Sequence, residues 1–315
     1  MRRPLRIAFM GSPDLAVPCL DALRAAPDME LAQVVTVGDC RRTRRGEACP
    51  TAVGERALAL GLPLFRWEKG MAGEAEALLA GLDLDAVVVI AFARILKPSL
   101  LALPRLGCLN LHASLLPWGR GASPIQQAIL EGLSVTGWSA MLMEERLDAG
   151  PVLAREELAV APDWTSADLA AALGERAPAF LLETLRAWDR GELSPEPQDE
   201  ARATYACCIE PGAGAIDWRL DAADLARRVR AYQPSPGAWF RRDGARVRLR
   251  RAAAAPDGGG AAPGTVIAVR PAWRVACGAG ALDLHEVVPE GRHPMPTAAY
   301  LNGRPSRPGE ILENG

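Results

Sequence analysis

The chain has 315 residues, of which 49% are hydrophobic and 23% charged, and its formal net charge is −2. This length is too great for one ordinary single-core domain and fits a domain of about 200 residues followed by one of about 100. The charge excludes a protein that is basic over its whole surface, and no stretch approaches the roughly 20 apolar residues of a membrane span.

Charge is distributed unevenly along the chain. From Cys208 onward, 15 arginines stand against 11 aspartates and glutamates, so this part is mildly basic and the part before it is acidic. A basic module permits a polyanionic partner without requiring one. The seven cysteines are scattered, and no pair has the spacing of zinc ligands. We therefore expect reduced thiols in a cytoplasmic protein that needs no metal.

The chain begins with a predicted strand, a tight turn and a helix. The apolar run Leu5–Met10 indicates a first parallel strand, and Asp14–Ala25 indicates a helix. The Gly-Ser-Pro-Asp turn between them carries neither a dinucleotide fingerprint nor a Walker lysine. It therefore predicts a helix cap at Ser12, not a phosphate cradle. The next predicted strand is Leu31–Val37.

A basic segment without apolar periodicity follows, GDCRRTRRGEACP. Its four arginines are Arg41, Arg42, Arg44 and Arg45. A solvated loop is one interpretation of such a charge run. A flexible arm that neutralises phosphates is the other.

Helices and strands then alternate. Helices are predicted at Thr51–Leu60 and Gly73–Leu82, and strands at Leu64–Trp67 and Asp85–Leu96. This alternation is typical of an α/β fold with a doubly wound, Rossmann-like and mostly parallel sheet. Such sheets bind ligands beyond the carboxyl ends of their strands.

The short predicted strand Cys108–His112 carries two polar side chains. Asn110 and His112 are two residues apart, so they project to the same face. An amide can donate to an oxyanion, and an imidazole can transfer protons. The alternative is that Asn110 only bonds a loop and His112 is an ordinary core histidine.

A carboxylate stands at a predicted turn further along the chain. In MLMEERLDAGPVL, Asp148 lies between two predicted strands. A carboxylate at this turn can orient a histidine ring and stabilise the imidazolium. Taken alone, Asp148 is better explained as an ordinary turn aspartate.

The last third of the chain has a different pattern. Arg190–Thr204 is polar and contains prolines, as expected of a linker. One helix at Asp221–Tyr232 precedes several short strands, which is the profile of a small β-barrel. In one of these strands Arg246, Arg248 and Arg250 alternate, which places them on one face.

Three separated segments, NLHASLLP, RGASPIQ and LDAGPVL, closely resemble the catalytic core of the folate-dependent formyltransferases. This resemblance implies a catalytic triad of Asn110, His112 and Asp148, with 10-formyltetrahydrofolate as the formyl donor. It also implies folate contacts at Phe92, Ile95, Leu96, Ser114, Leu115, Leu116 and Pro117. The family usually has Arg-Trp-Arg-Gly after Leu-Leu-Pro, whereas this chain has Trp118-Gly119-Arg120-Gly121.

The ends of the chain, IAFMGSPDLAVPCLDAL and YLNGRPSRPGE, resemble the branch of this family that acts on methionyl initiator tRNA. The resemblance implies a catalytic domain at residues 1–189, a linker at 190–204 and an OB-like barrel at 205–315 that contacts tRNA. The implied tRNA contacts are Arg41, Arg42, Arg44, Arg45, Arg246 and Arg248.

The resemblance thus predicts transfer of a formyl group from 10-formyltetrahydrofolate to the α-amine of methionyl initiator tRNA by a cytoplasmic monomer that does not bind membranes. One alternative is a formyltransferase that acts on an amino-sugar nucleotide. Another is a folate- or RNA-binding protein that has lost its activity.

Overall fold

The computed structural model describes residues 3–41, 48–255 and 259–315. In these ranges no helix combines the length and the apolar character needed to cross a membrane. The described residues form two compact units. The first unit is drawn from Met1–Ala122, Val135–Ala159 and Ala170–Ala206, and the second from Ser123–Ser134, Val160–Leu169 and Cys207–Gly315.

The strands of the first unit are β1 (Leu5–Gly11), β2 (Met29–Val37), β3 (Cys40–Arg41), β4 (Ala48–Cys49), β5 (Leu64–Trp67), β6 (Ala86–Ile90), β7 (Cys108–His112), β8 (Val135–Leu142) and β9 (Val152–Ala159). Seven of them form one sheet in the order β5-β2-β1-β6-β7-β8-β9, while β3 and β4 form a separate two-stranded ribbon. The strands from β5 to β7 pair in parallel, and β8 and β9 join antiparallel. The predicted mostly parallel α/β sheet is confirmed.

Helices alternate with these strands. They are α1 (Val17–Ala25), α2 (Ala52–Ala59), α3 (Ala72–Ala80), α4 (Pro98–Leu101), α5 (Pro124–Glu131) and α6 (Ser166–Asp189). Residues Asp14–Ala16 form a 3-10 turn before α1. The predicted cap at Ser12 is wrong, because its hydroxyl instead accepts from the Val37 N–H and pairs with the Thr36 hydroxyl. Thr51 does cap α2, accepting from the Gly54 N–H.

The central strand β6 ends earlier than its apolar sequence indicates. All five of its residues are buried, as expected of a parallel strand that is covered on both faces. The strand stops at Ile90 because Ala91 adopts a left-handed backbone, with φ of 48°. Residues 91–97 therefore form a loop at the carboxyl end of the sheet, where the sequence predicted a continued strand.

Besides α5 and the first turn of α6, the second unit contains α7 (Ala222–Ala231), β10 (Ala238–Arg242), β11 (Ala245–Ala255), β12 (Val266–Ala268), β13 (Trp273–Ala276), β14 (Ala281–Pro289), β15 (Met295–Pro296) and α8 (Thr297–Gly303). Its antiparallel sheet has the order β10-β11-β14-β13-β12, and β15 pairs with β14. The C-terminal tail joins both edges, because Glu313 bridges Arg241 and Ile311 bridges Thr265. Trp218, Phe240 and Trp273 fill the core. The predicted small barrel is confirmed.

Candidate active site

Strand β7 brings Asn110 and His112 to the middle of the first sheet. Its neighbours are β6, which is parallel to it, and β8, which is antiparallel. Asn110 is half-buried and His112 is buried. Among the described residues, the Asn110 side chain has no hydrogen-bond partner, so its amide N–H groups are available to a ligand.

Both ring nitrogens of His112 face protein groups. Nε2 lies 2.8 Å from the carbonyl oxygen of Gly119, and Nδ1 lies 3.7 Å from Oδ2 of Asp148. A carbonyl oxygen only accepts hydrogen bonds, so Nε2 must carry the hydrogen in this contact. In the neutral ring Nδ1 then carries no hydrogen, and this nitrogen faces the Asp148 carboxylate.

Asp148 lies in the connection between β8 and β9 and adopts a left-handed backbone, with φ of 49°. Its Oδ2 accepts a hydrogen bond of 2.8 Å from the Gly121 N–H. Gln198 holds the turn from its other side, because its Nε2 donates to the carbonyl oxygens of Asp148 at 2.8 Å and Gly150 at 2.7 Å. The carboxylate is thus buried and held in one orientation.

The structure therefore brings His112 and Asp148 together and places Asn110 on the same strand as His112. An amide donor, an imidazole and a buried carboxylate suit addition of an amine to a carbonyl carbon. The amide can stabilise the oxyanion, and the imidazole and carboxylate can transfer the proton that the amine loses. The catalytic roles of the three side chains stay a prediction.

Three predicted folate contacts lie in the loop after β6. Phe92 is half-buried, and its ring centroid lies 5.8 Å from that of Trp67. Ile95 has 88% of its surface exposed, whereas Leu96 is buried in the core of the sheet. Of these three side chains, only Phe92 and Ile95 present surface to a flat apolar ligand.

The other predicted folate contacts follow β7. The Ser114 hydroxyl donates to the Trp118 carbonyl oxygen at 2.6 Å. The Ser139 hydroxyl donates to the Ser114 carbonyl oxygen at 2.7 Å and accepts from the Leu116 N–H at 2.9 Å. Leu116 is buried, whereas Leu115 and Pro117 are partly exposed. These bonds fix the backbone of residues 114–117, and their folate contacts stay predictions.

The basic residues predicted to bind tRNA fall in two places. Arg42, Arg44 and Arg45 lie outside the described residues, and only the backbone of Arg41, in β3, is described. Their predicted role is therefore not tested.

The second basic group lies on β11. Arg246 and Arg248 are exposed while Val247 between them is buried, which confirms the predicted alternation. The guanidinium carbon of Arg246 lies 4.3 Å from the ring centroid of Trp239, and that of Arg241 lies 5.5 Å from it. Arginine and tryptophan side chains together form a surface that suits phosphates and bases.

A buried polar network near Asp148 was not predicted. Arg120 has no exposed side-chain surface and donates to both carboxylate oxygens of Glu200, at 3.0 and 3.2 Å, and to Gln198 Oε1 at 3.0 Å. Hydrogen bonds from Arg120 and Arg146 lower the pKa of Glu200 to about 2. The available sequence signals were the Arg120-Gly121 pair downstream of β7 and the Pro-Gln in PEPQ.

The comparisons with known proteins agree with this arrangement. Residues 5–185 match the formyl transferase family, and residues 208–305 match the formyl transferase C-terminal domain. A methionyl-tRNA formyltransferase of Thiobacillus denitrificans is 44% identical over 302 residues, covering 95% of this chain and 97% of the relative. The methionyl-tRNA formyltransferase of Parvibaculum lavamentivorans is 41% identical over 98% of this chain and its own full length.

A solved structure shows the same fold at low sequence identity. The N-formyltransferase of Helicobacter canadensis, in complex with folinic acid and dTDP-3-aminofucose, superposes with a TM-score of 0.65 at 13% identity. The match covers 89% of this chain and 99% of that protein. From the matched family and the full-length relatives together, we conclude that this chain belongs to the formyl transferase family.

Proposed function

We propose that this protein transfers the formyl group of 10-formyltetrahydrofolate to the α-amine of methionyl initiator tRNA. The observation that carries the proposal is the match to methionyl-tRNA formyltransferases over 95 to 98% of the chain. That match includes the second unit with its small barrel, called the barrel unit below, as well as the first unit, which holds His112 and Asp148. The site geometry supports the same reaction class, because the Asn110 amide can donate to an oxyanion and His112 with Asp148 can transfer a proton.

In the proposed reaction the neutral amine attacks the formyl carbon, and a tetrahedral intermediate forms. The Asn110 amide donates to the oxyanion, an interaction whose removal typically costs on the order of 10² to 10³ in rate. His112 takes up the amine proton at Nδ1, and Asp148 stabilises the charged ring. The bond between the formyl carbon and the folate nitrogen breaks, and the proton goes to that nitrogen.

The substrate-binding residues belong to this proposal. The loop after β6 and residues 114–117 would contact the folate. The arginines proposed to contact the tRNA are Arg41, Arg42, Arg44, Arg45, Arg246 and Arg248. The exposed arginines of β11 support this assignment, since phosphate contacts supply most of the affinity of a protein for nucleic acid.

The organisation of the chain is proposed as a catalytic domain at residues 1–189, a linker at 190–204 and a tRNA-contacting domain at 205–315. The family boundaries at residues 185 and 208 support these limits. A cytoplasmic monomer is proposed as well. The buried thiols of Cys19, Cys108 and Cys277 fit a reducing compartment.

The test is a formyl-transfer assay with three acceptors. Purified protein and 10-formyltetrahydrofolate are incubated with methionyl initiator tRNA, with uncharged tRNA and with an amino-sugar nucleotide. We expect formylation of the methionyl ester alone. Transfer only to the sugar would contradict the proposed tRNA acceptor but would still support formyl transfer to an amine. Salt-dependent tRNA binding without any transfer would identify an inactive binding protein.

A further inference from the structure

The backbone of residues 119–121 contacts both His112 and Asp148, which are called the proton-transfer pair below. The Gly119 carbonyl oxygen accepts from His112 Nε2 at 2.8 Å, and the Gly121 N–H donates to Asp148 Oδ2 at 2.8 Å. A displacement of this short segment would therefore move the imidazole, the carboxylate or both. What holds the segment in place also sets the geometry of the pair.

The residue between these two glycines is Arg120, whose side chain is fully buried. Its guanidinium donates to both oxygens of Glu200. Its backbone N–H donates to the Thr204 carbonyl oxygen at 3.0 Å, and its own carbonyl oxygen accepts from the Ala206 N–H at 2.7 Å. Arg120 thus ties the segment to residues 198–206 through both its side chain and its backbone.

The two segments are packed too closely to tolerate a shift. A β-carbon added to Gly121 would lie 2.7 Å from the Ala206 carbonyl oxygen. The Gly119 N–H also donates to the Thr204 hydroxyl at 2.8 Å. The position of residues 119–121 is therefore determined by neighbours far away in the sequence.

Gln198 completes a closed set of contacts. Its Oε1 accepts from Arg120 Nε at 3.0 Å, while its Nε2 donates to the carbonyl oxygens of Asp148 and Gly150. One amide thus connects the arginine to the turn that carries the carboxylate. Asparagine and aspartate tolerate the left-handed backbone of such a turn, but the conformation still needs support from its surroundings.

We propose that Arg120 and Gln198 are positioning residues that hold His112 and Asp148 at their working separation. Arg120 acts through the backbone of Gly119 and Gly121, and Gln198 acts through the Asp148 turn. The rigid fork of a guanidinium suits this task, because it binds a carboxylate in one geometry. Misplacement of a catalytic group by about 1 Å can lower the rate on the order of 10²-fold.

The first test variant is Gln198→Glu. A glutamate keeps the size and the acceptor for Arg120 but loses both N–H donors to the Asp148 turn. Its matched control is Gln233→Glu, because Gln233 Nε2 also donates to two backbone carbonyl oxygens, those of Val229 and Arg250. The control lies in the barrel unit.

The second variant is Arg120→Lys, which keeps the positive charge but loses the planar guanidinium that donates to both Glu200 oxygens. Its control is Arg242→Lys, since Arg242 is a buried arginine that binds both oxygens of Glu310 in the barrel unit. Thermal unfolding of all four variants identifies any that do not fold. If Arg120→Lys fails to fold, Gln198→Glu decides the question.

The first readout is the ¹⁵N spectrum of the His112 ring, which needs no substrate. The chain has three histidines, and the other two, His285 and His293, lie in the barrel unit. In the wild-type protein we expect the signature of a ring held with hydrogen on Nε2. In Gln198→Glu and Arg120→Lys we expect an average of tautomers, while both controls keep the wild-type signature.

The second readout is kinetic and rests on the proposed function. We expect kcat to fall on the order of 10²-fold in the folded variants, with an unchanged KM for both substrates. A wild-type ring signature in folded Gln198→Glu and Arg120→Lys would overturn the positioning role, whatever their activity. Because the spectrum needs no acceptor, failure of the proposed reaction would leave this test intact.

Discussion

Replacement of Asp148 by asparagine removes one charge beside His112 and little else. Oδ2 of Asp148 lies 3.7 Å from the imidazole Nδ1, and 7% and 8% of the His112 and Asp148 side chains are exposed. An asparagine oxygen can still accept the Gly121 N–H, and asparagine tolerates the backbone φ of 49° at this position. We therefore expect Asp148→Asn to fold normally.

The size of the effect follows from the distance between the two groups. Two unit charges about 4 Å apart interact by about 4 kcal/mol at an effective dielectric constant of about 20. A positive charge that develops on His112 in the transition state would lose that interaction in the variant. Since about 1.4 kcal/mol corresponds to a tenfold change in rate, we expect kcat to fall roughly 10³-fold.

The assay measures initial rates of formylation of methionyl initiator tRNA, with thermal unfolding as the check on folding. Asp83→Asn is the matched control, because Asp83 also has a left-handed backbone, with φ of 48°, but its side chain is 90% exposed. We expect the control to retain wild-type turnover. Equal turnover in Asp148→Asn and Asp83→Asn would refute the reasoning.

Three further outcomes are expected. Asn110→Ala should lower kcat on the order of 10² to 10³-fold in the same assay, because it removes the oxyanion donor; unchanged turnover would contradict that role. Arg246→Ala and Arg248→Ala should each weaken tRNA binding and make the slope of log K against log salt concentration shallower by about one. An unchanged slope would place that arginine outside the interface. Burial opposes ionisation of Asp85, but hydrogen bonds from the Arg6 backbone and from Arg105 outweigh it and lower its pKa. The ionised group therefore stabilises the fold above about pH 4 and loses this effect as the pH falls, so urea unfolding of Asp85→Asn should depend less on acid pH than that of the wild-type protein.

The fold was predictable wherever a local pattern determines an element. Alternating apolar strands and helices predicted the parallel sheet, and Leu64–Trp67 and Cys108–His112 have the predicted bounds. The error at β6 has a local cause as well. An apolar sequence continues to Leu96, but the left-handed backbone of Ala91 ends the strand, and no residue preference signals that conformation at an alanine.

The candidate site was likewise predicted from local pattern in one part only. A spacing of two residues in a strand was sufficient to place Asn110 and His112 on one face. The meeting of His112 with Asp148 was expected from resemblance, because a spacing of 36 positions in the chain carries no geometric information of its own.

The sequence by itself determined the alternating elements, the residue types at the site and the family resemblance. Only the tertiary structure decided which ring nitrogen of His112 carries the hydrogen, because the Gly119 carbonyl oxygen lies beside Nε2 and can only accept. It also decided that Arg120 is buried against Gln198, 78 positions away. The physical reason is that periodicity reports the faces of single elements, whereas a buried arginine finds its partners only after distant segments have packed.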